Sequence, residues 1–522
     1  MQSPAIYSPA KKIFIYLIFI VFGCLYRFWL ISNNNVLFWF DQARDAIVIN
    51  KMIYEKDIKI QGPSASGTND SVYHGVLYYY VICPIYLLAK GNPAVVSAVL
   101  GVISMLALVP IGELALKIFK SKSVFLVTLF LFSISVDAAQ MGTWLSNPML
   151  ALITIPAFYY YLYEVFWENK TRKLWLVALF LGLSHQAVIF TVYLFGVILI
   201  AWWIQQSKRK ISFSRKNLFL AFVVYGLVIS TMVLNQLLLM MGGVFNPLEI
   251  FSKLNSSGVN PANIIRGVFN SYANLISFSF FPTKPLLSVF LFIYTIFYFI
   301  KIEKIKFISY ILLFLLGPLV LIAWQYRDSY HTYIGLLPIV FVFTAQALEF
   351  IKKNLFCGKY IFYGILLLLL FSNVKYLQYS NTTGQHPVAI QTGTTLKDKL
   401  ELIDYTYLAA NYEIFSISSF TSPYDFNTTW AYLYSWYGKE KYGYTPFFVG
   451  PSQKGISGGD LLSESDLPKQ VHFALYEPLG GIPEYLQSLF VNKQNSISST
   501  IEKKEFGSMV VEKRLLKSDE NY

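Results

Sequence analysis

Apolar runs long enough to cross a bilayer constrain this chain more than any other feature. The first, IFIYLIFIVFGCLYRFWLI at 13–31, carries one charge in nineteen residues. A helical span takes roughly 17 to 25 predominantly apolar residues. Runs of that kind lie near 13–32, 94–117, 123–141, 148–167, 173–186, 187–204, 217–240, 285–302, 306–324, 333–351 and 360–377, with 173–186 the shortest. In hydrocarbon every backbone N–H and C=O must be bonded within the chain, so each run is expected to be a helix. The composition agrees: 55% hydrophobic and only 14% charged residues do not suit a soluble protein of 522 residues.

The net charge of +13 raises the question of an anionic partner. The basic residues, however, sit in short loops between apolar runs, the positive-inside pattern, which argues against nucleic acid. The clusters are Lys117/Lys120/Lys122, Lys170/Arg172/Lys173, Lys208/Arg209/Lys210 with Arg215/Lys216, Lys301/Lys304/Lys306 and Lys352/Lys353/Lys359. With Lys11 and Lys12 inside, all of them face the cytoplasm only if GVLYYYVICPIYLLAK at 75–90 does not span. That segment is short and holds a proline, so it reads as an interfacial or re-entrant helix. The expectation is about eleven spans in a multi-pass protein of the plasma or inner membrane, N-terminus cytoplasmic and C-terminus outside. No small-residue cleavage site follows the first run, which reads as a retained signal anchor. Cys24, Cys83 and Cys357 show no CxxC spacing and read as small hydrophobes.

Two large pieces then lie outside. One is a loop over 33–93, assigned with the transmembrane domain that covers 1–377, and the other is a polar tail over 378–522. In the tail, EIFSISSF, VHFALYE and SMVVEKRLL read as strands, and 394–410 and 428–442 as helices, giving a small extracytoplasmic α/β domain. A medium loop at 241–284, containing NSSGVNP, also faces outward, and no internal repeat is evident.

Ionisable residues at a membrane boundary are costly to desolvate and usually pair or work. Here they collect on the outer side: Asp41, Arg44 and Asp45 after the first span; Asp70 and His74; His185 and Gln186; and Arg327, Asp328, His331 and Tyr333 in QYRDSYHTYIGLLP. A carboxylate there can act as general base for a hydroxyl. Arg and His at the same depth can neutralise a phosphate. Trp39, Tyr78, Tyr79 and Tyr80 can stack on sugar or prenyl groups, or form an interfacial belt. The set suits a lipid-phosphate substrate meeting a hydroxyl acceptor outside the membrane.

FDQARDA at 40–46, GPSASG at 62–67 with YHGVLYYY at 73–80, WLSNPMLAL at 144–152 and YHTYIGLLP at 330–338 follow one another in an order that resembles the polyprenol-phosphate-sugar-dependent glycosyltransferases of the GT-C fold. The similarity is to the protein mannosyltransferase-like and aminoarabinose transferase-like group. That resemblance implies a sugar moved from a polyprenyl-phosphate donor to an extracytoplasmic hydroxyl on glycan, lipid or protein, with inversion. It implies Asp41 as catalytic base; Asp45, one turn later, reads from its spacing as a helix-face partner or a second acid or orienting group. Arg44 would pair with Asp41 or bind phosphate. His74 would make donor-side contacts or hold the interfacial helix, while Tyr80, from the residues alone, is a candidate substrate-stacking ring or part of the interfacial belt. Arg327, His331 and Tyr333 would lie near the lipid phosphate. Two departures stand out: Gln42 where relatives often carry Glu, and Asn147 where they often carry an acid. Asn147 then reads as an N-cap or a weak substrate contact, and a divalent cation stays open. A flippase of lipid-linked saccharides and a surface-polysaccharide polymerase or ligase are the other readings that many spans with an outer loop allow.

Overall fold

The computed structural model describes residues 7–65, 72–209, 211–243, 261–301 and 332–517. Among them, seven helices are long and apolar enough to cross a membrane: Pro9–Asn34, Pro93–Phe119, Asn147–Phe166, Ile189–Gln206, Arg215–Met241, Ile334–Asn354 and Gly358–Thr383. Lys122–Ile134 and Val136–Thr143 add an eighth span if taken together, bent by 57°. Leu77–Leu88 has 12 residues, about 18 Å at 1.5 Å per residue, too short to cross. Leu174–Ala187, expected as a span, has 14 and falls short for the same reason. The run at 306–324 lies outside the described residues, so eleven spans are not matched one for one.

Burial divides these helices by environment. In Ile334–Asn354, 89% of the apolar window is buried by protein, whereas in Arg215–Met241 none is. The latter needs lipid around it, since an exposed apolar surface of that size is not tolerated by water.

The chain divides into two compact units. The first comprises Met1–Leu30, Lys59–Val81 and Val99–Gln378. Its bent pair breaks at Ser135, whose backbone is extended. The groups freed by the break find partners: Ser135 Oγ accepts the Ala138 N–H at 3.2 Å, and Asn373 Oδ1 accepts the Val136 N–H at 3.0 Å. Arg27 is wholly buried. It donates to Ser104 Oγ (2.9 Å), Gly23 O (3.2 Å) and Ala138 O (3.4 Å). The basic residues expected to be bare orientation signals are partly paired. Lys117, Lys170 and Lys173 converge on Glu164 at 3.0, 2.9 and 2.6 Å, and Glu168 takes Lys117 and Lys170 at 2.8 and 2.7 Å.

The second unit comprises Ile31–Ile58, Ile82–Ala98 and Tyr379–Tyr522. It holds a five-stranded sheet in the order β2-β1-β3-β5-β4. The strands are β1 (Ser416–Phe420), β2 (Phe447–Phe448), β3 (Val471–Tyr476), β4 (Ser498–Phe506) and β5 (Met509–Leu516). β2, β1 and β3 run parallel, and β5 pairs antiparallel with β3 and β4. β1 is buried throughout, as a parallel strand covered on both faces must be. Phe420, Ala474, Tyr476, Ile482 and Phe490 form one core cluster, placing helix Glu484–Ile497 on the sheet. β4 is the edge, and Glu502, Lys503, Lys504 and Glu505 keep it from pairing with other chains. Gly507, at φ 58°, turns the chain into β5. The three strands and two helices expected from the sequence are present, the second helix running through Thr428–Leu433, a π turn at Tyr434–Gly438 and Lys439–Tyr442.

In that core, His472 bonds Ser416 Oγ through Nδ1 at 2.9 Å and Gln494 Oε1 through Nε2 at 3.0 Å. Burial pushes its imidazole down to about 4. The unfolded chain therefore takes up a proton near pH 6.5 while the native domain does not, so stability falls as pH drops through that window. Denaturant unfolding of the purified full chain should lose about 2 kcal/mol between pH 7 and pH 5 from this group. H472Q should flatten that slope, and an unchanged slope would contradict the assignment.

Candidate functional site

Helix Phe40–Tyr54 begins where the extended chain turns at Trp39. Gln42 reaches back so that its Oε1 accepts the Trp39 N–H at 3.0 Å, the return half of a capping box. Gln42 is buried, so the residue that departs from the family pattern has a structural task. Asp41 lies in the first turn, where the helix N-terminus favours negative charge. Its side chain is 62% exposed, against 22% for Arg44 and 4% for Asp45.

Arg44 stands between the two carboxylates. Its Nη1 donates to Asp41 Oδ1 at 2.8 Å, while Nε and Nη2 both donate to Asp45 Oδ1 at 3.0 and 2.9 Å. One guanidinium thus anchors on a buried acid and offers its remaining arm to an exposed one. Asp45 has the geometry of an orienting group, and Asp41 that of a carboxylate reachable by a ligand. This arrangement suits an acceptor of protons from a hydroxyl. Among the described residues no three His, Cys, Asp or Glu side chains gather to hold a metal ion. Between Asp41 and Asp45 the cationic place is already taken by Arg44, so the pair does not fit a divalent cation, and no step is derived through one.

The other expected residues fall in the first unit. His74 is buried, with its Nδ1 accepting the Ile189 N–H at 3.1 Å and its ring edge-on to Phe190. It ties the chain at 72–75 to the turn after Leu174–Ala187. Beside it, Gly75 donates to Gln186 O at 3.0 Å, and a Cβ on Gly75 would overlap the Gln186 side chain. Gln186 in turn accepts from Leu77 N (3.3 Å) and donates to Val228 O (2.6 Å) and Thr231 Oγ1 (3.0 Å). His185 Nδ1 meets the Tyr225 hydroxyl at 2.9 Å. Gln186 is thus a junction joining three helices. Tyr80 keeps an exposed ring but gives its hydroxyl to Lys59 O at 2.8 Å. Tyr333 is buried, its ring 4.5 Å from that of Tyr272. Asp70, Arg327, Asp328 and His331 lie outside the described residues.

Asn147 sits inside the turn Asn147–Leu150, with Ser146 rather than itself at the N-cap. Its Nδ2 donates to Ala187 O at 2.6 Å, satisfying a carbonyl left open where helix Leu174–Ala187 ends. An aspartate there would set a carboxylate against a carbonyl. N147D should therefore lower thermal stability by about 1–3 kcal/mol, the cost of a buried acceptor left without a donor. It should also gain no dependence on divalent cations. A metal-stimulated N147D of undiminished stability would overturn this role.

Two crystal structures share the fold: ArnT from Cupriavidus metallidurans bound to undecaprenyl phosphate and the same protein in the apo state. Each superposes with a TM-score of 0.52 at 9% sequence identity, over 97% of this chain and 98% of that chain. No family model matches the chain, and none of the curated proteins matches it. At 9% identity the agreement is one of architecture: nearly the whole chain shares the GT-C fold of ArnT.

Proposed function

We propose that this multi-pass membrane protein is a glycosyltransferase that moves a sugar from a polyprenyl-phosphate donor to a hydroxyl outside the cytoplasm. The observation that carries the reading is the fold held in common, end to end, with a protein crystallised on undecaprenyl phosphate. The exposed carboxylate of Asp41 beside Arg44 supplies the chemistry. In the proposed step the acceptor oxygen attacks the anomeric carbon of the donor and its proton passes to Asp41. The bond from that carbon to the phosphate oxygen breaks, and the polyprenyl phosphate leaves with the electron pair. A single displacement inverts the anomeric centre. Arg327 and His331 are proposed to meet the charge that develops on the departing phosphate, the larger electrostatic contribution. Tyr333 and His74 shape the donor side, and Asp45 holds Arg44. The N-terminus is taken as cytoplasmic and the C-terminal domain as extracytoplasmic.

The test is D41N in purified, lipid-reconstituted protein, with release of polyprenyl phosphate from a polyprenyl-phosphate sugar as readout. Transfer should fall by roughly 10²-fold or more, the usual contribution of a general base, while donor still binds. Full turnover by D41N would remove the base. Wild-type protein that moves the donor across a bilayer without releasing polyprenyl phosphate would replace the reading with transport.

A further inference from the structure

The residues immediately before Asp41 are pinned almost entirely by the C-terminal domain. Leu396 N–H donates to Val36 O at 2.9 Å, and Leu37 makes an antiparallel bridge with Thr395. The ring of Phe38 lies 5.5 Å from that of Tyr432, and Phe40 meets Phe426 edge-on at 5.5 Å. Between these contacts, the Trp39 indole N–H donates to Thr394 Oγ1 at 2.8 Å. Thr394 is itself buried and fixed, its hydroxyl donating to Gln391 O at 3.3 Å. Behind it lies an unusual group for a domain interior: Lys399, fully buried, with Nζ 3.4 Å from Thr394 O and 3.5 Å from Glu477 Oε1. A buried ion pair is a costly way to add stability, and its better-attested use is to fix one arrangement among several. Here the arrangement it fixes is the 394–399 turn on which Trp39 rests.

We infer that Thr394, through its bond to the Trp39 indole, is a positioning residue that sets the direction of the Asp41 carboxylate. This rests on the proposed reading of Asp41 as base. Trp39 is the last residue before the helix, and both of its N–H groups are engaged, the backbone one by Gln42 and the indole one by Thr394. The first turn of the helix therefore cannot roll about its axis without breaking one of them. The Asp41 side chain is exposed and, among the described residues, is bonded by Arg44 alone, so its aim follows the orientation of that turn. Misplacing a reacting group by about 1 Å costs roughly 10²-fold in rate. The Thr394 hydroxyl is thus the polar contact by which the C-terminal domain orients that turn.

The experiment compares T394V, T394S and W39F with wild type and D41N, measuring kcat, donor KM and the thermal midpoint of the full chain. T394V keeps the shape of threonine and loses the acceptor, so kcat should fall roughly tenfold or more with donor KM changed less than about threefold. T394S keeps the hydroxyl and should stay within about threefold of wild type. W39F removes the donor from the other side and should match T394V; it carries the test if T394V fails to fold. T394V in the D41N background should cause no further loss. T394V at wild-type kcat with D41N inactive overturns this inference alone. T394S as impaired as T394V assigns the effect to packing and overturns it as well. D41N at full turnover removes the base, and this inference with it.

Discussion

The Arg44 guanidinium, wedged between a buried and an exposed aspartate, is the interaction on which the candidate site depends. Joined through Nε and Nη2, Arg44 and Asp45 satisfy each other, and Nη1 is left to hold Asp41 at the solvent. The same residue thereby removes the need for a metal between the carboxylates. A planar fork on a single oxygen is something lysine could not reproduce.

The membrane imposes the second constraint. Arg215–Met241 shows its apolar side chains to lipid, while Ile334–Asn354 is enclosed by protein. Arg27, buried inside the helical unit, is answered locally by Ser104, Gly23 and Ala138. Asn147 and Gln186 do the same work near helix ends, Asn147 donating to the Ala187 carbonyl and Gln186 Oε1 accepting the Leu77 N–H, both groups that the helices leave open. Polar residues that look catalytic in an apolar sequence can thus be what lets a helix stop inside a membrane protein.

Much of the architecture was legible because hydropathy and charge asymmetry act over long windows. The non-spanning reading of 75–90 agrees with the 12 residues of Leu77–Leu88. Inward strands β1, β3 and β5 showed in the apolar runs of the tail. β4 did not, since an edge strand carrying Glu502, Lys503, Lys504 and Glu505 has no apolar alternation. The bend at Ser135 was invisible within 123–141 because its partner, Asn373, comes from a distant stretch of the chain. At the site, the run FDQARDA marked Asp41, Arg44 and Asp45, but not which acid is exposed. That depends on what covers the helix, through contacts some 350 residues away in sequence, as between Trp39 and Thr394. The pairing of Lys117, Lys170 and Lys173 with Glu164 was missed because the charge rule counts cations without asking what they touch.

The claim that holds the account together is that residue 41 meets water on the non-cytoplasmic side. Cysteine accessibility tests it most directly, with D41C and K170C introduced singly after replacement of Cys24, Cys83 and Cys357. A membrane-impermeant thiol reagent applied to intact cells should modify position 41 and leave position 170 untouched until the cells are permeabilised. Labelling at position 170 from outside, with position 41 reached only after permeabilisation, would contradict the account.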